Sequence, residues 1–268
     1  MPKTARGLAY SIEDFRPPWV TSGLPIVFNH GIGTNRDIWA EWVPIVASRR
    51  KMVRFDMRGF GQSIIPPEMH QWSMEEMVAD LWEVADLAGA EKVHLFGESM
   101  GGTIALAAAI ARPERVASVS ISNASYKGKG LGELAYWQQQ FADGGAKGWS
   151  RRMMENRFGP GVGTPEALAW FEQEQAKTQP HVAMGLGAVL AQSDLTEALK
   201  SLNVPISVVL PDSSPFVPVM HGAELRQIAP NVRLRVVPNM RHGLPFSHAR
   251  SEARRLCAFL DEIEGNAG

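Results

Sequence analysis

Short apolar runs alternate along the chain with longer stretches of helical periodicity. Most of the runs carry Val or Ile and end at Gly, Asn, Asp or Pro, which is typical of buried strands; they are PIVFNH (25–30), KMVRFD (51–56), KVHLFG (92–97), RVASVSIS (115–122), PISVVL (205–210) and RLRVVP (233–238). Between them, helical patterns occupy 73–89 and 99–112. Ser73 lies three residues before Glu76 and predicts a capping box at the start of the first of these helices. The alternation predicts an α/β fold with a mostly parallel, doubly wound sheet.

The alternation stops between about 125 and 203, where the chain is rich in Trp, Gln, Met, Gly and Ala. Four segments there have helical patterns: GELAYWQQQFA (132–142), GWSRRMMENRF (148–158), PEALAWFEQEQAK (165–177) and VAMGLGAVLAQ (182–192). Because the strand–helix rhythm resumes afterwards, we expect 125–203 to be a helical lid inserted above the carboxyl edge of the sheet. Residues 1–124 and 204–268 then form one core domain. The alternative is that these segments are further helices of the core.

Composition narrows the classes of partner. Net charge is −1, from 27 basic and 28 acidic residues, which gives no electrostatic basis for binding nucleic acid or an anionic membrane. The single cysteine, Cys257, fits a reducing compartment and cannot form an internal disulfide. No apolar run is long enough to span a bilayer, and MPKTARGLAY has no signal-peptide core. We expect a cytoplasmic protein with a small-molecule substrate, and homo-oligomer formation is left open.

The strongest chemical signal is FGESMGG (96–102), which contains G-x-S-x-G between a predicted strand and a predicted helix. A sharp strand-to-helix turn brings backbones close together, so small residues must flank the serine. The turn lifts the hydroxyl above the sheet edge, where the helix N-terminus supplies positive potential. This context predicts Ser99 as a nucleophile.

Two further segments complete an acyl-transfer site. FNHGIGTN (28–35) follows an early strand, and its loop together with the residue after the nucleophile can hold a developing oxyanion. This pattern nominates the backbone N–H groups of Ile32 and Met100, whereas His30 reads as a structural turn residue. PNMRHGLPF (238–246) follows the last predicted strand. His242 lies late in the chain, as the order serine, acid, histidine requires, and of the seven histidines it alone follows a strand end in the right place, so it is the predicted general base.

HGIG, DMRGFGQS, GESMGG and RHG, in that order, resemble the α/β-hydrolase superfamily across about 8–263. The chain is most similar in appearance to the 3-oxoadipate enol-lactonase group and its small-esterase neighbours, through PERVASVSISNAS, ENRFGPG and QSDLTEALKSLNVP. The resemblance implies an α/β-hydrolase fold with a helical lid, no cofactor or metal, and a Ser–His–acid triad. Ser99 and His242 match that triad residue by residue.

The acid of the triad does not match. The family loop reads roughly G-x-x-D-x-x-x-P, and VVLPDSSPFVP (208–218) aligns with it at Pro218, which puts Ser214 in the acid position. Asp212 is the nearest carboxylate, and we predict that it compensates. Asn123, whose amide could fix the histidine tautomer, and Ser214 itself remain open.

These features predict a serine hydrolase that cleaves a small ester, lactone or related acyl substrate through an acyl-enzyme. The altered acid position keeps two alternatives, a cofactor-free lyase or other non-hydrolytic enzyme and a weakly active ligand-binding member. In the predicted lid, large apolar residues could line a pocket; these are Trp137, Trp149, Trp170, Met153, Met154 and Met184. Three arginines of the same segment could bind a substrate carboxylate; these are Arg151, Arg152 and Arg157.

Overall fold

A computed structural model of the chain describes residues 1–128 and 134–265. Its strands are β1 (Tyr10–Glu13), β2 (Ile26–Asn29), β3 (Met52–Phe55), β4 (Val93–Glu98), β5 (Val116–Ser122), β6 (Ile206–Pro211) and β7 (Val232–Val237). The six predicted strands are all confirmed. β1 was not predicted, because only four half-buried or exposed residues form it and their apolar content is low.

The strands form a single seven-stranded sheet in the order β1-β3-β2-β4-β5-β6-β7. β1 runs antiparallel to β3, and all other pairs are parallel. The predicted class, an α/β fold with a mostly parallel and doubly wound sheet, is confirmed. The carboxyl ends of β2, β4, β5, β6 and β7 lie along one edge, where ligands bind in sheets of this kind.

The helices are α1 (Val43–Val46), α2 (Met74–Asp86), α3 (Met100–Ala111), α4 (Leu134–Arg157), α5 (Pro165–Gln175), α6 (Pro180–Gln192), α7 (Thr196–Leu199), α8 (Val219–Ile228), α9 (Leu244–Ser247) and α10 (Ala249–Ile263). Short 3₁₀ turns occupy Arg36–Trp39 and Pro113–Arg115. At the start of α2 the Ser73 hydroxyl accepts a hydrogen bond from the Glu76 N–H at 3.1 Å, which is one half of the predicted capping box. The Glu76 carboxylate instead contacts His70 Nε2 at 2.7 Å.

Alternating strand residues build a core on each face of the sheet. Val27, Val53 and Leu95 belong to a cluster that includes α2, α3 and α8. Their neighbours Phe28 and Phe96 pack on the opposite face, with α1 and α10. Because side chains of a strand point alternately to its two faces, both faces are covered and the central strands read as continuous apolar runs.

Between β5 and β6 the described residues include the helices α4 to α7, and α4 packs on α5 and α6 while α6 also contacts α3. The first two predicted helical segments are joined in α4, where Gly145 breaks the helix with φ 59° and ψ −164°. The start of the first predicted segment, 132–133, lies outside the described residues. The division into a core domain and a lid at 125–203 stays a prediction.

Candidate active site

Ser99 occupies a sharp turn between β4 and α3, with φ 54° and ψ −124°. A Cβ on Gly97 would lie 2.3 Å from the Gly101 carbonyl oxygen, and one on Gly101 would lie 2.4 Å from the carbonyl oxygens of Asn29 and His30. Only glycine fits at those two positions. The turn therefore holds Ser99 at a positive φ that a serine adopts only when its surroundings enforce it.

The loop after β2 passes close to this turn. A Cβ on Gly31 would lie 2.9 Å from Ser99 Cβ. Ile32 and Met100 are both buried, and within the described ranges their backbone N–H groups have no hydrogen-bond partner. The two predicted oxyanion donors are thus unengaged N–H groups flanking the serine. His30 is structural, as predicted: its Nε2 accepts the Met57 N–H at 2.9 Å, and burial lowers its pKa to about 4.

His242 lies after β7 and is 2% exposed. Its Nδ1 is 3.1 Å from Ser214 Oγ, and its Nε2 is 3.4 Å from Glu98 Oε1. The Phe216 ring packs edge-on against the imidazole, with ring centroids 4.7 Å apart. Burial, with the Arg157 guanidinium nearby, holds the pKa of His242 well below its usual range. The imidazole is therefore neutral at pH 7 and able to accept a proton.

The prediction that Asp212 orients this histidine requires correction. Asp212 is exposed, and its carboxylate accepts a hydrogen bond from Ser213 Oγ at 2.8 Å. Its backbone N–H donates to the Val237 carbonyl, which keeps it aligned with the end of β7. In the described parts of the chain no hydrogen bond or ion pair joins Asp212 to His242. Ser214, two residues later, is the loop residue that meets the ring.

Asn123 supports the histidine loop rather than the imidazole. It follows β5 with φ 54°, and its side-chain amide donates to the backbone carbonyl of His242. The ring nitrogens are therefore contacted by Ser214 on one side and Glu98 on the other. Of the three residues left open by the sequence, Ser214 is the one that contacts Nδ1.

Sequence reasoning did not single out Glu98 as a functional residue, although it directly precedes the predicted nucleophile in GESMGG. It is the last residue of β4 and is 3% exposed. Burial raises the pKa of its carboxyl to about 7, while the Arg157 guanidinium works against that rise. An acidic residue directly before a predicted nucleophile was the available signal, but its burial beside His242 depends on distant segments.

Arg157 reaches this centre from the end of α4. Its Nη2 donates to the Ile32 carbonyl at 2.7 Å, its Nε donates to Gln175 Oε1 at 2.7 Å, and its Nη1 lies 3.8 Å from Glu98 Oε1. The Arg157 side chain is 4% exposed, whereas Arg151 and Arg152 are exposed to solvent. One of the three predicted arginines is thus brought to the site.

Ser99, His242, Ile32 and Arg157 line a common cavity of about 60 Å³. Its apolar wall comes from Leu134, Trp137, Met153, Leu190, Phe216 and Val217. Among the other predicted pocket residues, Trp149 stacks on Phe141 and Trp170 on Phe246. Met154 and Met184 are partly buried against the two cores. None of these four lines the cavity in the described structure.

Among the helices that the structure describes, none has the length and apolar character to cross a membrane.

Comparison with known proteins gives a match to the family model for the α/β-hydrolase fold over residues 25–249. The chain is 24% identical to 3-oxoadipate enol-lactonase 1 of Acinetobacter baylyi over 220 residues, covering 75% of this chain and 76% of that one.

Two further similarities cover nearly the whole chain. The pimeloyl-[acyl-carrier protein] methyl ester esterase of Aeromonas hydrophila is 28% identical over 97% of this chain and all of its own. The crystal structure of the enol-lactonase from Burkholderia xenovorans superposes with a TM-score of 0.82 at 20% identity, covering 94% and 96% of the two chains. The solved structure shows that the fold is shared, and the two curated relatives support hydrolase chemistry. The extent of the family match shows that this chain belongs to the α/β-hydrolase family.

Proposed function

We propose that this protein hydrolyses a small ester or lactone through an acyl-enzyme at Ser99. The observation that carries the proposal is the strained conformation of Ser99, with φ 54°, on the same cavity as His242. Strain of this kind persists where the fold over-determines it, and it clusters at active sites. The enol-lactonase and the methyl ester esterase among the relatives support the ester or lactone class.

The proposed reaction uses the Ser99 hydroxyl, the His242 imidazole and two backbone N–H groups. Ser99 Oγ forms a bond to the carbonyl carbon while its proton passes to His242 Nε2. The N–H groups of Ile32 and Met100 stabilise the oxyanion. The protonated histidine then gives its proton to the leaving oxygen as the ester bond breaks. Water attacks the acyl-enzyme by the reverse sequence and releases the acid.

The Ser214 hydroxyl is a weak substitute for the usual acid. At 3.1 Å from Nδ1 it can orient the ring, but it carries no charge to stabilise an imidazolium. In serine proteases, replacing the triad Asp by Asn lowers kcat by about 10⁴. We therefore infer that the natural substrate has a good leaving group, as an enol-lactone or activated ester does.

The cavity suggests a small acyl group. Its walls are mostly apolar, and the lining residues that come from α4 and α6 include Leu134, Trp137, Met153 and Leu190. We propose that the segment 125–203 serves as a cap that supplies this wall. Arg157 is engaged by Ile32, Gln175 and Glu98, so it supports the site rather than presenting a free cation.

The test is a pre-steady-state measurement with p-nitrophenyl acetate. We expect a burst of p-nitrophenolate in the wild type, none in Ser99→Ala, and an unchanged burst in the control Ser48→Ala, whose hydroxyl is exposed at the end of α1. A fluorophosphonate should label Ser99, as located by peptide mass spectrometry. Failure to label the serine in folded wild-type protein would contradict the proposal.

One observation favours a second candidate, a cofactor-free lyase or related enzyme on the same scaffold. Nδ1 of His242 contacts a hydroxyl instead of a carboxylate, so nucleophilic activation of Ser99 lacks its usual support. This candidate requires turnover that survives Ser99→Ala and is lost in His242→Ala. Saturable binding of esters with no turnover would instead indicate a ligand-binding member.

A further inference from the structure

We propose that Glu98 is the carboxylate that stabilises protonated His242, from the Nε2 side, in place of an acid at position 214. Glu98 is then a positioning residue, because it acts on the substrate only through the histidine. The inference rests on the proposed function, since it concerns the proton that Ser99 gives up. It deepens that function by naming the charge that the altered acid loop lacks.

The contacts of the imidazole carry the argument. Its Nδ1 faces the Ser214 hydroxyl at 3.1 Å, and its Nε2 faces Glu98 Oε1 at 3.4 Å. Among the described residues, Glu98 is the one carboxylate within 4 Å of a His242 ring nitrogen, and the contact becomes an ion pair when His242 is protonated and Glu98 is ionised. Both side chains are almost fully buried, 4% and 3% exposed, so the charges interact with little screening by solvent.

The fold holds Glu98 where the proton arrives. Because Glu98 directly precedes Ser99 at the end of β4, the carboxylate and the nucleophile share one strand end. Gly31 leaves room for the carboxylate, since a Cβ there would lie 2.2 Å from Glu98 Oε2. Arg157, with Nη1 at 3.8 Å from Oε1, supplies a cation on another side. A glutamate that merely filled space would not need these two neighbours.

The charge balance shows why the carboxylate matters. When the Ser99 Oγ bond to the acyl carbon forms, its proton moves to Nε2 and His242 becomes a cation. That cation arises in a buried site close to the permanent charge of Arg157, which is unfavourable. An ionised Glu98 between them offsets the new charge, whereas the neutral Ser214 hydroxyl contributes a dipole alone. When the leaving oxygen takes the proton, the pair returns to its starting charge.

This arrangement predicts a distinctive pH dependence. The charged or titratable groups that face Glu98 are Arg157 from α4 and His242 after β7, while Phe171 and Phe246 present only rings. Burial raises the pKa of Glu98 to about 7, and His242 is already neutral there. Activity should therefore rise with pH as Glu98 ionises, with a midpoint set by this carboxyl instead of by the histidine.

The experiment combines Glu98→Gln and Ser214→Asp, singly and together, with kcat/KM for p-nitrophenyl acetate from pH 5.5 to pH 9. We expect Glu98→Gln to lower kcat/KM about 100-fold at pH 8 and to remove the rise near pH 7. Ser214→Asp places a carboxylate against Nδ1, so it should restore at least about tenfold of that loss in the double variant. Glu114→Gln, an exposed glutamate, is the matched control and should leave the profile unchanged.

Several outcomes would overturn the inference. A Glu98→Gln profile that is lowered equally at every pH, with the rise near pH 7 retained, would indicate a structural role. Glu98 would also be assigned a structural role if the folded double variant had no higher kcat/KM than Glu98→Gln alone. Should Glu98→Gln not fold, the Ser214→Asp single variant decides, since the installed charge should flatten the rise near pH 7 and an unchanged rise would refute the inference.

The proposed function is tested separately by fluorophosphonate labelling of Ser99 in the wild type. If Ser99 is labelled and the pH profile of Glu98→Gln equals that of the wild type, only the proposed role of Glu98 is contradicted. If Ser99 is not labelled, the proposed acyl-enzyme mechanism is contradicted.

Discussion

Replacement of Glu98 by glutamine should change how the stability of the protein depends on pH. The carboxyl is buried at the end of β4, and burial raises its pKa from 4.5 to about 7. Between these two values the folded state keeps the proton that the unfolded state releases. The folded protein therefore binds more protons than the unfolded chain in this window, and its stability falls as pH rises through it.

The size of the effect follows from the shift. One pKa unit corresponds to about 1.36 kcal/mol, so a rise from 4.5 to about 7 costs the wild type about 3 kcal/mol at alkaline pH relative to strongly acidic pH. About 2 to 3 kcal/mol of this loss falls between pH 5 and pH 8. Glutamine cannot ionise. The free energy of unfolding of Glu98→Gln should therefore rise by that amount, relative to that of the wild type, between pH 5 and pH 8.

Equilibrium unfolding in urea, followed by tryptophan fluorescence at pH 5, 6, 7 and 8, measures this difference. Other titrating groups contribute equally to both proteins, and His242 stays neutral in the folded state across this range, so the subtraction isolates Glu98. Glu114→Gln provides the control for an exposed carboxyl and should show a flat difference. A Glu98→Gln difference that does not vary with pH would refute the reasoning, because it would mean that the buried carboxyl ionises as it does in water.

Four other substitutions test the site. Gly31→Ala should lower the thermal midpoint and slow fluorophosphonate labelling, because its Cβ would lie 2.2 Å from Glu98 Oε2. Ser99→Gly should be more stable to urea than Ser99→Ala by about 1 kcal/mol, since glycine adopts φ 54° without strain. Arg157→Met should lower the free energy of unfolding, measured in urea at pH 8, by about 3 to 5 kcal/mol, because it leaves the buried and ionised Glu98 carboxylate without its cation. Asp212→Asn should leave kcat/KM for p-nitrophenyl acetate within about twofold, because that carboxylate is exposed.

Matched controls separate these effects from general damage. Gly144→Ala in α4 meets no atom within 4 Å and should leave both the thermal midpoint and the labelling rate unchanged. Arg152→Met removes an exposed arginine of the same helix as Arg157 and should have little effect. Equal losses in Arg152→Met and Arg157→Met would contradict the buried ion pair. A tenfold loss of kcat/KM in Asp212→Asn would indicate that the Asp212 carboxylate contributes to the site.

The strands of the fold were predictable because each one carries its own signal. β2, β4 and β6 are mostly apolar runs bounded by turn residues, and such runs are typical of strands that are buried on both faces. β1 lacked that signal. Tyr10–Glu13 lies at an edge of the sheet and alternates only weakly, so its antiparallel pairing with β3 is decided by register across a gap of about forty residues in the chain.

In the candidate site, too, residues with a local sequence signal were predictable, and a contact between distant segments was not. Ser99 was predictable from seven consecutive residues, since the turn geometry that demands Gly97 and Gly101 is local. His242 followed from its position after the last strand. Asp212 was the wrong choice for the partner of His242, because counting along a loop does not show which side chain turns towards a ring; Ser214 does so, and Asp212 faces solvent.

The sequence alone therefore determined six of the seven strands, the sharp turn at Ser99 and the position of His242 after the last strand, because each of these carries a local signal. Only the tertiary structure decided the electrostatics around the imidazole. Glu98, Arg157 and His242 come from β4, α4 and the loop after β7, and they meet within 4 Å. The protonation of a carboxyl depends on the water and charges within a few ångströms of it, and segments far apart in the chain supply that environment.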